Sequence, residues 1–164
     1  MKSVHKVDAA KHKKMLEVLA QFRIVFKAVR RHYGEVRNRS GISGAQLWAL
    51  SLIAERPGVK VGELASALAI HASTASNLVR DLKALRLVEG RRHGTDQRTV
   101  NLNATTQGLQ VLKRAPKPLI GVLQRSLSDL PMADLGALHL HLSKLIKTMK
   151  PGDAKAARTP LSDI

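Results

Sequence analysis

Between residues 73 and 104 the hydrophobic period of the chain changes from that of a helix to that of a strand almost without a linker, and few folds accommodate that order. At about 100° per residue, Ala75, Leu78, Val79, Leu82 and Leu85 of a helix over about 73–85 fall on one side. Ser73, Ser76, Asn77 and Arg80 fall on the other. Directly after it, Leu87-Val88-Glu89-Gly90-Arg91-Arg92 reads as a strand and His93-Gly94-Thr95-Asp96 as a turn. Val100, Leu102 and Ala104 then alternate with Thr99, Asn101 and Asn103 as a second strand. An amphipathic helix must therefore feed straight into a β-hairpin.

The residues before it complete a module over 42–104. Ser43, with Gln46 three positions on, has capping-box spacing. Leu47, Leu50 and Ile53 give the helix that follows a buried face, and Arg56-Pro57-Gly58 ends it. Val59-Lys60-Val61 reads as extended, and Gly62 to Ala69 as a helix of small residues in which Ala65 and Ala69 would allow close approach of a neighbour. Helix, helix, turn, helix and hairpin make a winged helix-turn-helix. Ser73, Ser76, Asn77 and Arg80 would then offer short polar groups and one cation, suited to the major groove of a duplex. The hairpin tip is loaded with Arg91, Arg92, His93 and Arg98, and a cationic finger of this kind suits the minor groove. Taken alone, a polar helix face is also an ordinary solvated surface.

Helical arms flank the module. Met15, Leu19, Phe22, Phe26, Val29, Tyr33 and Val36 form a heptad seam along a helix over about 10–38. Leu135, Leu138, Leu142, Leu145 and Met149 form another after Pro131, and Leu119, Ile120, Leu123 and Leu127 mark an apolar helix over 119–130. The expected division is a basic tail at 1–9, a dimerisation helix at 10–38, the module at 42–104, dimerisation helices at 105–150 and a flexible tail at 151–164. The fold class is mainly α with a small β-wing. The arms could instead cover the core of a monomer. Pro116 and Pro118 predict a kink or break within 105–130.

Composition narrows the partner. The 28 Lys and Arg against 12 Asp and Glu give a net charge of +16, a field that concentrates polyanions. Phe22, Phe26, Tyr33 and Trp48 are the only aromatics, so the basic second half has no platform for stacking unpaired bases, and duplex DNA is favoured over single strands. The absence of cysteine excludes thiolate zinc sites and thiol redox sensing. Met1 to Lys14 lacks the apolar core of a secretory signal, so the cytoplasm is the expected compartment.

Leu64-Ala65, Ser73-Thr74-Ala75-Ser76, Leu78-Val79-Arg80-Asp81-Leu82, Asp96-Gln97-Arg98 and Thr105-Thr106-Gln107-Gly108 together resemble the MarR family of transcriptional regulators over about 42–108. The resemblance implies a homodimeric regulator, with Arg98 in the minor groove, Asp96 steadying a wing arginine, and Ser73, Thr74, Ser76, Asn77 and Arg80 presented to the major groove of a pseudopalindromic double-stranded DNA operator. Arg86 stands where the family usually has Gly, and Ala104 where it has Leu. The resemblance also implies a small aromatic carboxylate or phenolic effector, which would release a repressor from DNA. Tyr33 and Trp48 could stack on such a ring, and Arg30, Arg31 or His32 could pair its carboxylate. Tyr33 equally fits the seam. His139 and His141 point to different sides of a helix, and no histidine–carboxylate cluster has ligand spacing, so no metal or cofactor is expected.

Three other classes compete with this one. A sequence-independent, nucleoid-type DNA-binding protein fits the charge but leaves a shaped helix face superfluous. An enzyme lacks support: no nucleophile elbow, phosphate-cradling loop or paired-carboxylate motif is present. A membrane-surface protein would need the first helix to stay unpaired.

Overall fold

A computed structural model describes residues 8–92, 100–149 and 154–163. The elements in order are α1 (Ala9–Ser40), α2 (Gly44–Glu55), α3 (Val61–Leu68), α4 (Ala72–Ala84), β1 (Val88–Arg92), β2 (Val100–Ala104), α5 (Thr106–Arg114), α6 (Val122–Ser128) and α7 (Met132–Met149). Two short 3-10 turns, Ala154–Arg158 and Leu161–Asp163, follow. No described helix is long and apolar enough to cross a membrane.

The core lies within the central module. Leu47, Leu50 and Ile53 of α2, Leu64 of α3, Leu82 of α4, Leu102 of β2 and Val36 of α1 are fully buried. α2 begins with the expected reciprocal cap: Gln46 N–H donates to Ser43 Oγ at 3.2 Å, and Ser43 N–H donates to Gln46 Oε1 at 2.9 Å. β1 and β2 pair antiparallel, with Val88 opposite Ala104 and Arg92 opposite Val100. The turn after α2 joins this ribbon: Leu102 N–H donates to the Val59 carbonyl at 3.0 Å, and Gly58 N–H to the Leu102 carbonyl at 2.8 Å. The extended segment is thus a single bridging residue, and Val61 already opens α3.

Several boundaries differ from expectation for identifiable reasons. Ala69 does not pack inside α3; it is exposed and forms the left-handed cap at φ 54° that reverses the chain toward α4. Leu85 leaves the buried face of α4, because it is the C-cap residue and stands 46% exposed. The helix expected over 119–130 shortens to Val122–Ser128, since Pro116 and Pro118 hold the chain non-helical and Gly121 (φ 96°) starts the next element. Residues 154–163, expected to be a solvated tail, instead fold back onto the first turn of α2, where Ala45 N–H donates to Ser162 Oγ at 3.1 Å.

A clamp at the start of α5 fixes the ribbon relative to α4. Thr105 N–H donates to the Leu87 carbonyl at 3.0 Å, and Thr105 Oγ1 donates to the Arg86 carbonyl at 2.7 Å. The same hydroxyl oxygen accepts from Gly108 N–H at 3.0 Å as an N-cap. A Cβ on Gly108 would run into the Leu87 carbonyl oxygen and stand 3.2 Å from Leu50 Cδ1. The Thr-x-x-Gly motif is therefore structural: it ties the exit of α4 and the root of the hairpin to α5.

Candidate nucleic-acid interface and cleft

α4 sorts its residues as the helical period requires. Ala75, Leu78, Val79 and Leu82 are buried. Ser73, Ser76, Asn77 and Arg80 are exposed, and Thr74 is half-buried between the two faces. Ser76 Oγ donates to the Ala72 carbonyl at 2.9 Å, which folds this side chain close to the helix. Arg80 rests on its neighbour, with Nε 3.3 Å from Asp81 Oδ1. Both groups are exposed, so this pair is weak and leaves the guanidinium available.

The N-terminus of α4 has no side-chain cap, because His71 occupies the N-cap position without a capping bond. The first-turn N–H groups thus add partial positive charge beside Ser73 and Thr74. Sequence reasoning missed His71, which stands at the N-cap of α4 with its Nε2 buried and without a hydrogen-bond partner among the described residues. It also missed Lys83, one turn beyond Arg80, whose Nζ lies under Gly90 of β1. At Gly90 the absence of a Cβ is what admits the lysine stem between helix and ribbon.

The ribbon projects directly beyond α4. Arg91 and Arg92 lie in β1, whose backbone pairs with Asn101 and Val100 of β2. Asp96 and Arg98, with the rest of the expected hairpin tip, lie outside the described residues.

The five residues expected to bind an effector divide between different surroundings. Tyr33 and Trp48 line a cavity of about 410 Å³ enclosed by α1, α2, the α3–α4 turn, α6 and the segment 157–162. Its other walls include Ile70, Leu78 and Leu127. Gln124 Nε2 donates to the Tyr33 hydroxyl oxygen at 3.2 Å across it. None of the described residues lining it carries a charge. Arg30 and Arg31 line a second, larger hollow of about 970 Å³ with Arg23, Lys27 and Phe26, which Tyr33 also borders, and Arg31 Nε pairs with Glu35 Oε1 at 3.0 Å. His32 lines neither. It is 5% exposed, hydrogen-bonds the Pro118 backbone carbonyl, and burial pushes its pKa down against the opposing pull of Glu35 and that hydrogen bond. It is a packed core histidine, one helical position away from the cation-lined face.

No group of three or more metal-ligating side chains comes together among the described residues.

A helix-turn-helix carrying an antiparallel wing, set between long helical arms, defines a winged helix-turn-helix protein. Residues 40–99 match the MarR family, over much of the stretch whose motifs carry the resemblance read from the sequence. A direct sequence comparison with curated proteins finds no match. Among solved structures, the MepR–DNA complex of Staphylococcus aureus is similar at 20% identity and TM-score 0.56, over 79% of this chain and 96% of that one. YusO of Bacillus subtilis is similar at 19% identity and TM-score 0.54, over 89% and 99%. A MepR-like protein complexed with pseudoligands is similar at 18% identity and TM-score 0.57, over 81% and 94%.

Proposed function

We propose that the protein is a homodimeric, sequence-specific regulator of transcription that binds double-stranded DNA, with α4 in the major groove and the wing in the minor groove. The observation that carries this reading is the exposed face of Ser73, Ser76, Asn77 and Arg80, set beside an antiparallel ribbon on a chain of net charge +16. Short side chains let a helix seat deeply, and Arg and Asn are the residues that read guanine and adenine edges. The similar MepR structure holds DNA.

Dimerisation is supported by what the arms leave uncovered. α7 has no buried residue over 18 positions, and Ile146 and Met149 stand 53% and 68% exposed. On α1, Leu19, Ile24 and Phe26 are exposed as well. Apolar surface of that extent on two long helices suits a second copy of the chain.

The effector reading is a small aromatic or phenolic anion that binds beside Tyr33 and Trp48 and releases the operator. It follows from the aromatic lining of the cavity and its position between arms and module.

Arg80→Ala is the discriminating test. It is expected to cost about 1–3 kcal/mol on the cognate site and little on random DNA. The site should be a pseudopalindrome with half-sites roughly 10 base pairs apart, found by footprinting DNA that flanks the coding region. The charge favours one alternative, a nucleoid-type protein that binds any duplex. An equal loss on both DNAs would select it.

A further inference from the structure

We infer that residues 157–162 are a displaceable partition of the effector cleft, and that a ligand joining an aromatic ring to an anionic group binds by driving this segment off α2. The inference rests on the effector reading above and adds its regulation.

The two hollows differ in chemistry. The smaller one offers Trp48, Ile70 and Leu78 but no charged wall, whereas the larger one offers Arg23, Lys27, Arg30 and Arg31. A ring seated on Trp48 therefore has no cation within its own cavity. Three residues border both hollows: Tyr33, Leu161 and Ser162. Two of those three belong to the folded-back segment. With the segment in place the aromatic and cationic halves are separate; without it they are continuous past Tyr33, and one amphipathic anion could touch both.

The segment lies at the surface. Ala45 N–H donates to Ser162 Oγ at 3.1 Å, while Thr159 is exposed and Leu161 remains 39% exposed. Its seat is nonetheless shaped for it. Gly44 has no side chain at the point where a Cβ would meet the Tyr33 ring and stand 3.3 Å from Ser162 Cβ. A partly buried segment at the surface, shared by both hollows, is one that a small ligand can displace.

The test compares the full chain with a variant lacking residues 154–164, using the single tryptophan as reporter. Acrylamide quenching of Trp48 should become at least about twofold more efficient after deletion, since Thr159 to Ser162 no longer wall its cavity. 1-Anilinonaphthalene-8-sulfonate, an aromatic anion, should bind the deletion variant at least about tenfold more tightly. A synthetic peptide of residues 154–164 should compete with the dye for the deletion variant. Ser162→Ala removes the hydroxyl that accepts from Ala45 N–H and should tighten dye binding at least about twofold, the lower end expected for one hydrogen bond. Helical circular dichroism of each variant checks that the fold is retained. Unchanged Trp48 quenching together with equal dye affinity in all three proteins overturns the partition. Quenching that rises while the dye binds neither form overturns the effector reading and the ligand class inferred here, independently of DNA binding.

Discussion

Replacing Gly108 by alanine should destabilise the protein, although the same replacement in an open helix stabilises one. Two effects of known sign compete. As the third residue of α5, an alanine would gain about 0.5–1 kcal/mol from helix propensity and from reduced freedom of the unfolded chain. Against this, its Cβ would overlap the Leu87 carbonyl oxygen, a backbone atom that cannot rotate aside, and press on Leu50 Cδ1 at 3.2 Å. Relief requires α5 to retreat, which breaks Thr105 N–H to Leu87 and strains the Thr105 bonds to Arg86 and Gly108. Overpacking costs about 1–3 kcal/mol, and each lost hydrogen bond about 1 kcal/mol. The net loss is then about 2–3 kcal/mol, and Tm should fall by roughly 4–12 °C in a chain of this size.

The control is Gly62→Ala in α3, where an added Cβ meets nothing within 4 Å. That variant should be unchanged or up to about 1 kcal/mol more stable. Both are measured by thermal and urea unfolding at one fixed protein concentration, because a dimer's Tm depends on it. A Gly108→Ala protein as stable as Gly62→Ala would refute the close approach of α5 to Leu87, and with it the structural reading of the Thr-x-x-Gly motif.

Three further outcomes follow from the same geometry. Ala69 (φ 54°) and Arg86 (φ 57°) are the described non-glycine residues with left-handed backbone, and they bracket α4; Ala69→Gly and Arg86→Gly should each stabilise by up to about 1 kcal/mol in urea unfolding. A loss of stability in both would contradict the strain. Burial lowers the pKa of His32, so the unfolded chain binds the extra proton first; stability should fall as pH drops below about 6.5, and His32→Gln should flatten that decline in Tm between pH 7.5 and 5.5. An equal slope in both proteins would remove His32 as the source. Ile146→Glu on the uncovered face of α7 should raise the dimer dissociation constant at least about tenfold by analytical ultracentrifugation, since it would bury an unpaired charge. No change would move the interface elsewhere.

What could be read in advance was whatever local periodicity dictates. The burial of Ala75, Leu78, Val79 and Leu82, the exposure opposite, the Ser43–Gln46 cap and the β1–β2 pairing all follow from spacing within one or two turns. Long-range packing was not legible. Nothing in Thr105-Thr106-Gln107-Gly108 by itself says that its glycine abuts a carbonyl 21 positions earlier. Nor could composition say that His32 turns toward Pro118, or that a serine 117 residues downstream would accept from Ala45 N–H. The cluster of Arg30, Arg31, His32 and Tyr33 looked like one site because the residues are consecutive. A helix spreads consecutive residues over its whole circumference, and the structure accordingly turns His32 into the core while Arg30 and Arg31 line the larger hollow, which Tyr33 borders together with the smaller one.

The positions of strain and closure bear on how an effector could reach DNA. α4 is joined to the rest of the module by two left-handed residues and by the Thr105 clamp, each of which fixes backbone direction and not merely side-chain packing. Leu78 of α4 and Ala69 and Ile70 of the turn before it also line the cavity that holds Trp48. A ligand that swelled this cavity would therefore push on the entrance of α4 while its exit stayed tied to α5. The consequence would be a tilt of the helix about the Leu87 end, moving Ser73 and Ser76 further than Arg80. Effector binding should then weaken contacts from the N-terminal half of α4 more than those from Arg80. Hydroxyl-radical footprinting with and without the dye would register that asymmetry, and uniform loss of protection across each half-site would argue for rigid displacement of the whole module instead.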